Sequence, residues 1–347
     1  MYISDSVCIS PQPTFDGTFF EGNTVTNNGI RYQAIEPDYA KFIPAGLLRR
    51  MGKAIRMGVG AGLPLIERAQ IEGFILGTAN GGLEDCLKFL NQIVDYDEGT
   101  LTPTNFVQST PNAVAGNLAL MSKNHGYNTT HVHHGLAFEA ALLDAALLLE
   151  EQKAQTLLVG TVEEISDYNH NIDFLSGAFK MEDLSSDSLI GSDTSGSVNG
   201  EGAVMFVIDA HRKSEHAVHI KDMYQSSYLP GSNIEERVIS LLSKNGLAAE
   251  NIDTLILGIS GDNRTDHLYT NLQSSLFSRS NSYCYKNLVG DYPTSSAFAT
   301  WLGVQLLNGK TLPDACVYKK SDDKTPQNVL IYNHFRGLQH SFILLGK

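Results

Sequence analysis

The sequence predicts an α/β protein whose mostly parallel sheet is built twice along the chain. Short apolar runs bounded by turn residues alternate with amphipathic segments, which is the pattern of strands joined by helical crossovers. The alternation occurs on both sides of about residue 212, and no linker rich in Pro, Gly or Ser separates the two parts. We therefore expect two halves, residues 1–212 and 213–347, that share an interface and fold as one unit.

The elements of the first half follow from apolar periodicity. Apolar runs that end in turn residues predict strands at 6–10, 72–82 with a Gly-rich turn, 156–161 and 202–210. Apolar residues at helical spacing predict helices at 45–66 (amphipathic and interrupted by Gly), at 83–96, from about Asn112 and at 135–151. A polar loop rich in Ser, Asp and Gly is expected at 184–200.

The second half repeats the alternation. Strands are predicted at 219–227, 253–260, 328–335 and 340–347, and the run 282–290 is predicted to be a strand that enters a loop. Helices are predicted at 233–246, 268–277 and 295–309. Strands that alternate with helices in both halves indicate parallel pairing with helical crossovers.

The composition is that of an ordinary globular protein of 347 residues, of which 42% are apolar and 18% charged. No apolar run approaches the roughly 20 residues of a membrane-spanning helix. The N-terminus has no basic and apolar leader, so we expect a cytoplasmic protein. The four cysteines are widely spaced, form no CxxC pair and are expected to be reduced thiols. A net charge of −13 argues against a nucleic-acid-binding surface.

The segment 131–163 has the layout of a nucleophile elbow. A short lead-in precedes an Ala/Leu-rich helix, and a buried strand, TLLVG, follows it. Such a turn places a reactive side chain at the N-terminus of a buried helix, where the helix dipole favours an anion. Cys or Ser is expected at the elbow, whereas this sequence has Gly135. We therefore expect no covalent intermediate at this position.

Three histidines precede this glycine, and three interpretations of them stay open. In an extended segment His131 and His133 share one face, while His134 points to the other. A metal site is one interpretation, but it requires a further ligand from elsewhere in the fold, and we predict neither a metal nor another cofactor. His133 or His134 acting as a general base is the second. Hydrogen-bonded core or interface imidazoles are the third.

A local cluster of cations stands out in this acidic chain. The segment LLRRMGKAIR is predicted to be helical, and its basic residues recur at helical spacing and would form one cationic ridge. Two interpretations apply: a solvated helix face, or a docking surface for an acidic partner such as a carrier protein. The residues concerned are Arg49, Arg50, Lys53 and Arg56.

Five segments match, in chain order, sequence motifs of one known family. They are RRMGKAIRMGVGAG (49–62), LGTANGGLED (76–85), STPNAVAGNLAL (109–120), FEAALLDAALLL (138–149) and SGSVNGEGAVMFVID (195–209). With these segments the chain resembles the ketosynthases of the thiolase fold, which condense acyl thioesters on acyl carrier protein. The third segment is similar to a helix beside the family's dimer interface. The resemblance implies a thiolase-like fold, in which two similar βαβ-type halves form a layered αβαβα core.

The resemblance also implies a catalytic Cys and two His, and all three positions are changed here. When the residues are matched one by one to the family's motifs, Gly135 falls at the position of the Cys, Ser260 at the first His and Asp291 at the second His. The Lys that precedes the second His in the family is present as Lys286. Lys286 and Asp291 have two interpretations, a partly buried ion pair, which we favour, and a catalytic role, for which Lys286 is the candidate. Ser260 is expected to be a turn residue at a strand end.

The segment that corresponds to the family's Gly-Phe-Gly-Gly gate is altered to NHFRGLQHS (333–341), and the chain is short for a ketosynthase. The gate and the changed catalytic positions together define the substrate pocket that we predict. Its residues are His134, Gly135, Ser260, Lys286, Asp291 and Phe335.

The resemblance therefore implies a ketosynthase-like protein without condensing activity. It is similar to chain-length factors, which pair with an active ketosynthase and shape the acyl cavity, and it looks most like those of aryl-polyene and flexirubin-type pathways. We expect a homodimer, or a heterodimer with an active ketosynthase, with acyl carrier protein as a further candidate partner. Two alternatives stay open: an acyltransferase or 3-oxoacyl synthase that uses His133 or His134, and a homodimeric acyl-binding module.

Overall fold

The computed structural model describes residues 1–322 and 324–347. The strands within these ranges are β1 Tyr2–Ile9, β2 Arg31–Tyr32, β3 Gly73–Thr78, β4 Tyr127–Val132, β5 Thr156–Glu163, β6 Asn199–Gly200, β7 Gly202–Asp209, β8 Val218–Ser226, β9 Thr254–Leu257, β10 Asn281–Cys284, β11 Val317–Lys319, β12 Asn328–Phe335 and β13 Gln339–Gly346.

The α-helices within the same ranges are α1 Ala45–Leu48, α2 Lys53–Arg68, α3 Leu83–Asp95, α4 Pro103–Gln108, α5 Ala113–Ser122, α6 Ala137–Glu150, α7 Asp167–Leu175, α8 Ser186–Leu189, α9 Ile234–Lys244, α10 His267–Ser275, α11 Lys286–Val289 and α12 Ser296–Leu307. Single 3₁₀ turns are present at Thr18–Glu21, Tyr39–Lys41, His134–Leu136, Gly231–Asn233, Ala249–Asn251 and Asp314–Cys316.

Eleven strands form one hydrogen-bonded sheet that consists of two copies of the same arrangement. The strand order is β11-β10-β9-β12-β13-β8-β1-β7-β5-β3-β4. In the first half β4, β3 and β5 are parallel, and β7 and β1 follow antiparallel. In the second half β10, β9 and β12 are parallel, and β13 and β8 follow antiparallel. The two copies meet where β1 pairs with β8 over only two residue pairs.

Three hydrophobic clusters separate the layers. Because strand side chains alternate between faces, β7 sends Val204, Phe206 and Ile208 into a central cluster that also contains apolar residues of α6 and α12. Its alternate residues join a second cluster with α2 and α5. Strands β12 and β13 divide in the same way between the central cluster and a third cluster under α9 and α10. The layers are therefore helix, sheet, helix, sheet and helix, which confirms the predicted thiolase-like α/β fold. The prediction of a mostly parallel sheet is wrong, because six of the ten neighbouring strand pairs in this sheet are antiparallel.

The prediction of one helix at 45–66 is wrong in one respect, because the helical structure is interrupted between α1 and α2. The side chain of Gln108 replaces the helical hydrogen bonds at the break. Its Oε1 accepts from the Gly52 amide (2.9 Å), and its Nε2 donates to the Arg50 carbonyl. Most other predicted elements are present with small shifts at their ends. Strand β4 was not predicted, and in the run 282–290, predicted as a strand that enters a loop, strand β10 is followed by the short helix α11.

The predicted boundary at 212/213 falls in the connection between β7 and β8. The central cluster draws residues from both sides of that boundary, so the two halves pack on a common core. Among the described residues no helix has both the length and the apolar character needed to cross a membrane.

Candidate functional site

The elbow lies between β4 and α6, at a sharp turn. His134 has a φ of 46°, a left-handed conformation that is uncommon for a residue with a side chain, whereas the φ of Gly135 is not positive. The strained apex of the elbow is therefore His134, one residue before the position that the family resemblance assigned to the nucleophile. Neither residue has a thiol or a hydroxyl.

The space beside Gly135 is filled by the second half of the chain. A Cβ at this position would overlap the Cβ of Phe335 and lie 2.8 Å from its Cγ and 3.2 Å from Gln339 Oε1. The amide of Gly135 donates to Gln339 Oε1 at 2.9 Å. The ring of His134 stacks on the ring of Phe335, with centroids 6.1 Å apart and planes 10° apart. The altered gate segment therefore rests directly on the elbow.

A cavity of about 340 Å³ lies between the two halves beside this contact. Ser260, Asp291 and Phe335, three of the six residues of the predicted substrate pocket, line it. The remainder of its wall comes from Asn80, from residues within 163–179, from 199–200, and from residues within 262–265, 292–293 and 334–336. His134, Gly135 and Lys286 are not part of this wall, although each contacts a residue that is.

Ser260 follows strand β9 and is held by a carboxylate. Asp266 accepts hydrogen bonds from the amides of Ser260 (3.1 Å) and Gly261 (2.7 Å), and from Ser260 Oγ (3.3 Å). Burial raises the pKa of Asp266 to about 6. Since the Ser260 hydroxyl already donates to this carboxylate, its local role is to order the loop after the strand.

Lys286 and Asp291 form the ion pair that the sequence predicts. Lys286 Nζ lies 2.8 Å from Asp291 Oδ1, and the side chains are 1% and 29% exposed. The backbone of Asp291 is fixed as well, since its amide donates to the Val198 carbonyl at 2.7 Å. A carboxylate therefore lies where the family resemblance predicts an imidazole, and Lys286 forms an ion pair with that carboxylate.

A different imidazole, His334, lines the cavity, and sequence reasoning missed it as a functional candidate. Its side chain is buried and stacks on Tyr269, with ring centroids 4.4 Å apart. Nδ1 accepts from the Gly337 amide at 3.3 Å, which leaves the ring proton on Nε2. No described residue accepts a hydrogen bond from Nε2 in hydrogen-bonding geometry, and the backbone of the nearby Thr265 only partly offsets the lowering of the pKa. Burial, with Lys286 and His340 close by, holds the pKa of His334 well below its usual range, so the ring is neutral.

The histidine run does not reach the cavity. His131 Nε2 lies 2.8 Å from Asp144 Oδ2, in a partly exposed pair. His133 and His134 are exposed. Within 1–322 and 324–347, no group of three or more His, Cys, Asp or Glu side chains is arranged to hold a metal ion.

The four cations do not form the single helical ridge that we predicted. Arg49 and Arg50 lie in the break between α1 and α2, so they do not share a helix face with the other two. Lys53 forms an ion pair with the buried Glu201, and Arg56 forms one with Glu36 at 2.6 Å. The break and these pairs divide the cluster, and carrier docking at these residues remains a proposal.

The cavity wall is polar and acidic. Arg264 pairs with Asp262 (2.6 Å) and Arg336 with Asp173, so these charges are matched within the wall. Glu163 and Glu164 have no cation as a hydrogen-bonding partner. Glu163 accepts from the Asn80 amide (3.2 Å) and Thr78 Oγ1 (3.1 Å), and Glu164 accepts from the Ala54 amide (3.0 Å). Burial raises the pKa of both glutamates to about 7.

A second surface is defined by the free edge of β4. This strand ends the sheet, with β3 as its only neighbour among the described strands. Strand β4 packs against α5 and α6. These elements carry exposed apolar side chains, and Leu120 of α5 is 80% exposed. The others are Tyr127, Val132, Leu143 and Leu147. An open edge flanked by apolar residues is typical of a surface that a partner covers.

Comparison with known proteins agrees with this fold. Residues 25–173 match the family model described as beta-ketoacyl synthase, N-terminal domain. A beta-ketoacyl synthase from Burkholderia phymatum STM815 is similar in structure, with a TM-score of 0.79 and 14% identity over 100% of this chain and 98% of that one. No curated protein sequence matches the chain.

Two complexes are similar in structure as well. The ketosynthase ApeO in complex with its chain length factor ApeC, from Xenorhabdus doucetiae, has a TM-score of 0.77 and 15% identity over 99% of this chain and 97% of that one. The ishigamide ketosynthase/chain length factor has a TM-score of 0.78 and 14% identity over 100% and 98%. The family match over residues 25–173 confirms the predicted resemblance to ketosynthases, and the structural similarity confirms the predicted thiolase-like fold.

Proposed function

We propose that this chain is a non-condensing subunit, similar to a chain-length factor, that pairs with an active ketosynthase. The observation that carries the proposal is the elbow. Covalent acyl transfer requires a nucleophile there, and at Gly135 the volume of a side chain is occupied by Phe335. The loss is therefore built into the packing between the two halves, and a single substitution at Gly135 would not reverse it.

The rest of the site supports the same proposal. Stabilisation of a developing oxyanion needs hydrogen-bond donors aimed at it. At the two positions where the family resemblance expects imidazoles, Ser260 already donates to Asp266, and Asp291 supplies negative charge balanced by Lys286. An enolate formed beside Asp291 would meet a carboxylate instead of a donor.

The free edge of β4 supplies the pairing surface in this proposal. Its unpaired backbone groups and the apolar residues beside it, including Leu120, fit a partner of the same fold that continues the sheet. The segment 109–120, which resembles a helix beside the family's dimer interface, contributes Leu120. Relatives in structure are described as ketosynthase and chain length factor complexes, which supports a heterodimer.

The test is complex formation. The chain would be expressed alone and together with a Cys-bearing ketosynthase from the same cell, and the mass of each species measured by light scattering. We expect a one-to-one complex that survives purification. A chain that remains monomeric in the presence of every such ketosynthase would contradict the pairing role.

One observation favours a second candidate function, acyl transfer through His134. This residue occupies the strained apex of the elbow, next to the position at which the family resemblance places the nucleophile. In such a step the imidazole attacks the thioester carbonyl, the C–S bond breaks, the thiol leaves with a proton, and an acyl-imidazole remains. Intact-protein mass spectrometry of the isolated chain with an acyl thioester tests this, because the adduct must appear in the wild type and be absent from His134→Phe.

A further inference from the structure

The cavity wall contains a buried hydrogen-bond donor for which the described residues provide no acceptor in hydrogen-bonding geometry. His334 is 4% exposed, and its Nε2 finds no acceptor among the described residues. One face of the ring is covered by Tyr269, and Nδ1 is occupied by the Gly337 amide. An unmatched buried N–H destabilises the folded protein, and the adjoining cavity is the place from which an acceptor can be supplied.

The cavity is of a size and make-up that suit a small polar ligand. Its volume of about 340 Å³ falls within the range of small-molecule sites. The two arginines of its wall are already paired with Asp262 and Asp173, and Asp291 is paired with Lys286. The two acids that remain without a cation as a hydrogen-bonding partner are Glu163 and Glu164, on the side of the cavity built by β5 and the residue after it.

We propose that this cavity binds a neutral acyl carbonyl, which accepts the hydrogen bond of His334 Nε2, and excludes acyl groups that carry a free carboxylate. The inference rests on the proposed function, in which the chain meets carrier-borne acyl groups, and it names which of them the cavity admits. A malonyl-type group would place its carboxylate in a space where the unmatched charge is negative. A neutral group such as acetyl meets only the imidazole donor and the polar wall.

The exclusion has a defined dependence on pH. Glu163 and Glu164 lose their protons near pH 7, because burial raises the pKa of each to about 7. The charged groups near this pair are acidic Glu84, Asp85 and Glu201 and basic Arg31, Lys53, Arg56 and Lys88. The arginines and lysines stay charged across the neutral pH range. The change in the charge of the cavity wall with pH therefore comes from the two glutamates. The exclusion is strongest above pH 7 and fades below it.

The experiment compares two small thioesters on the isolated chain. S-acetyl-N-acetylcysteamine and S-malonyl-N-acetylcysteamine would be titrated by calorimetry at about one pH unit above and about one unit below the pKa of the two glutamates. Above it, the acetyl probe is expected to bind at least about tenfold more tightly, which corresponds to about 1.4 kcal/mol. Below it, the ratio is expected to fall towards unity. Malonyl binding that equals or exceeds acetyl binding at the higher pH would overturn the proposal, and so would a failure of both probes to bind.

Two variants and a matched control assign the effect to residues. His334→Phe keeps an aromatic ring on Tyr269 but removes the donor, and acetyl binding is expected to weaken about tenfold. His133→Phe removes an exposed histidine outside the cavity and should bind like the wild type. Glu164→Gln should strengthen malonyl binding at the higher pH and leave acetyl binding unchanged, which keeps the test decisive if His334→Phe does not fold. Unchanged malonyl binding in Glu164→Gln would refute the electrostatic exclusion.

These outcomes are separable from the proposed function. Pairing with a ketosynthase is read from the mass of a complex, whereas charge selection is read from the isolated chain. A chain that forms the complex but binds the malonyl probe as well as the acetyl probe refutes only the present inference.

Discussion

The overlap between Gly135 and Phe335 makes a sharp prediction about stability. Gly135→Ala adds one methyl group, which would overlap the Cβ of Phe335 and lie 2.8 Å from its Cγ. The φ of Gly135 is not positive, so an alanine there has no backbone strain of its own and the effect is steric. Overpacking of this kind destabilises a protein by about 1–3 kcal/mol. We expect Gly135→Ala to lower the urea midpoint by a corresponding amount at an unchanged m-value.

A double-mutant cycle can identify which atom of Phe335 causes the loss of stability in Gly135→Ala. Phe335→Ala keeps the Cβ that meets residue 135, whereas Phe335→Gly removes it. The loss caused by Gly135→Ala should therefore disappear in the Phe335→Gly background and largely persist in the Phe335→Ala background. Gly116→Ala is the matched control, since a Cβ at this α5 position meets nothing within 4 Å. The control should be neutral or stabilising by up to about 1 kcal/mol.

The reasoning is refuted if Gly135→Ala unfolds at the wild-type urea concentration, or if both Phe335 variants relieve it equally. The same geometry applies to a restored nucleophile. Gly135→Cys would bring its Cβ into the same overlap, so we expect a destabilised protein without condensing activity.

Three further predictions concern other parts of the molecule. Lys286→Met leaves Asp291 without its partner and should lower the free energy of unfolding in urea by about 3 kcal/mol. The double variant Lys286→Met/Asp291→Leu should regain most of this stability. If the losses of the two single variants instead add up in the double variant, the ion pair does not have the expected role. Burial raises the pKa of Glu163 from 4.5 to about 7, so from pH 4.5 to 7 the folded state keeps a proton that the unfolded state has released. Stability should fall over that window by on the order of 3 kcal/mol, and Glu163→Gln should flatten the slope. Leu120→Asp should abolish pairing with a ketosynthase at an unchanged melting temperature, while Ile239→Asp, at an exposed position on α9, should leave pairing intact.

Much of the fold could be predicted because its signal is local. Buried strands such as β5 and β7 are short apolar runs, and the helices between them carry apolar residues at helical spacing. Repetition of this alternation on both sides of residue 212 was enough to predict two similar halves. The ion pair of Lys286 and Asp291 was also within reach, because the two residues are close in sequence and opposite in charge.

The errors arose where distant residues decide local structure. The break before α2 depends on Gln108, whose side chain accepts a hydrogen bond from the amide of Gly52, more than fifty residues away in the sequence. Strand β4, YNTTHV, has no apolar alternation, because an edge strand with one neighbour is only partly buried. The left-handed conformation of His134 likewise belongs to the packed turn and has no signature in composition.

Only some of the residues that line the cavity could be predicted from the sequence. Resemblance to the family located Ser260, Asp291 and Phe335, which line the cavity. His334 lies in NVLIYNHF, a run that looks like an ordinary core strand. Its importance comes from an unmatched Nε2 and a neighbouring cavity, and both are properties of the folded chain.

The most direct test of the central claim is turnover of a malonyl-loaded carrier protein, followed by intact-protein mass spectrometry. The assay would use the isolated chain, a Cys-bearing ketosynthase from the same cell alone, and the two together. The account predicts no consumption of the malonyl group by the isolated chain and consumption when the ketosynthase is present, with any acyl adduct on the ketosynthase only. Turnover by the isolated chain, or an acyl adduct on its own mass, would contradict the account and direct attention to His134 and His334.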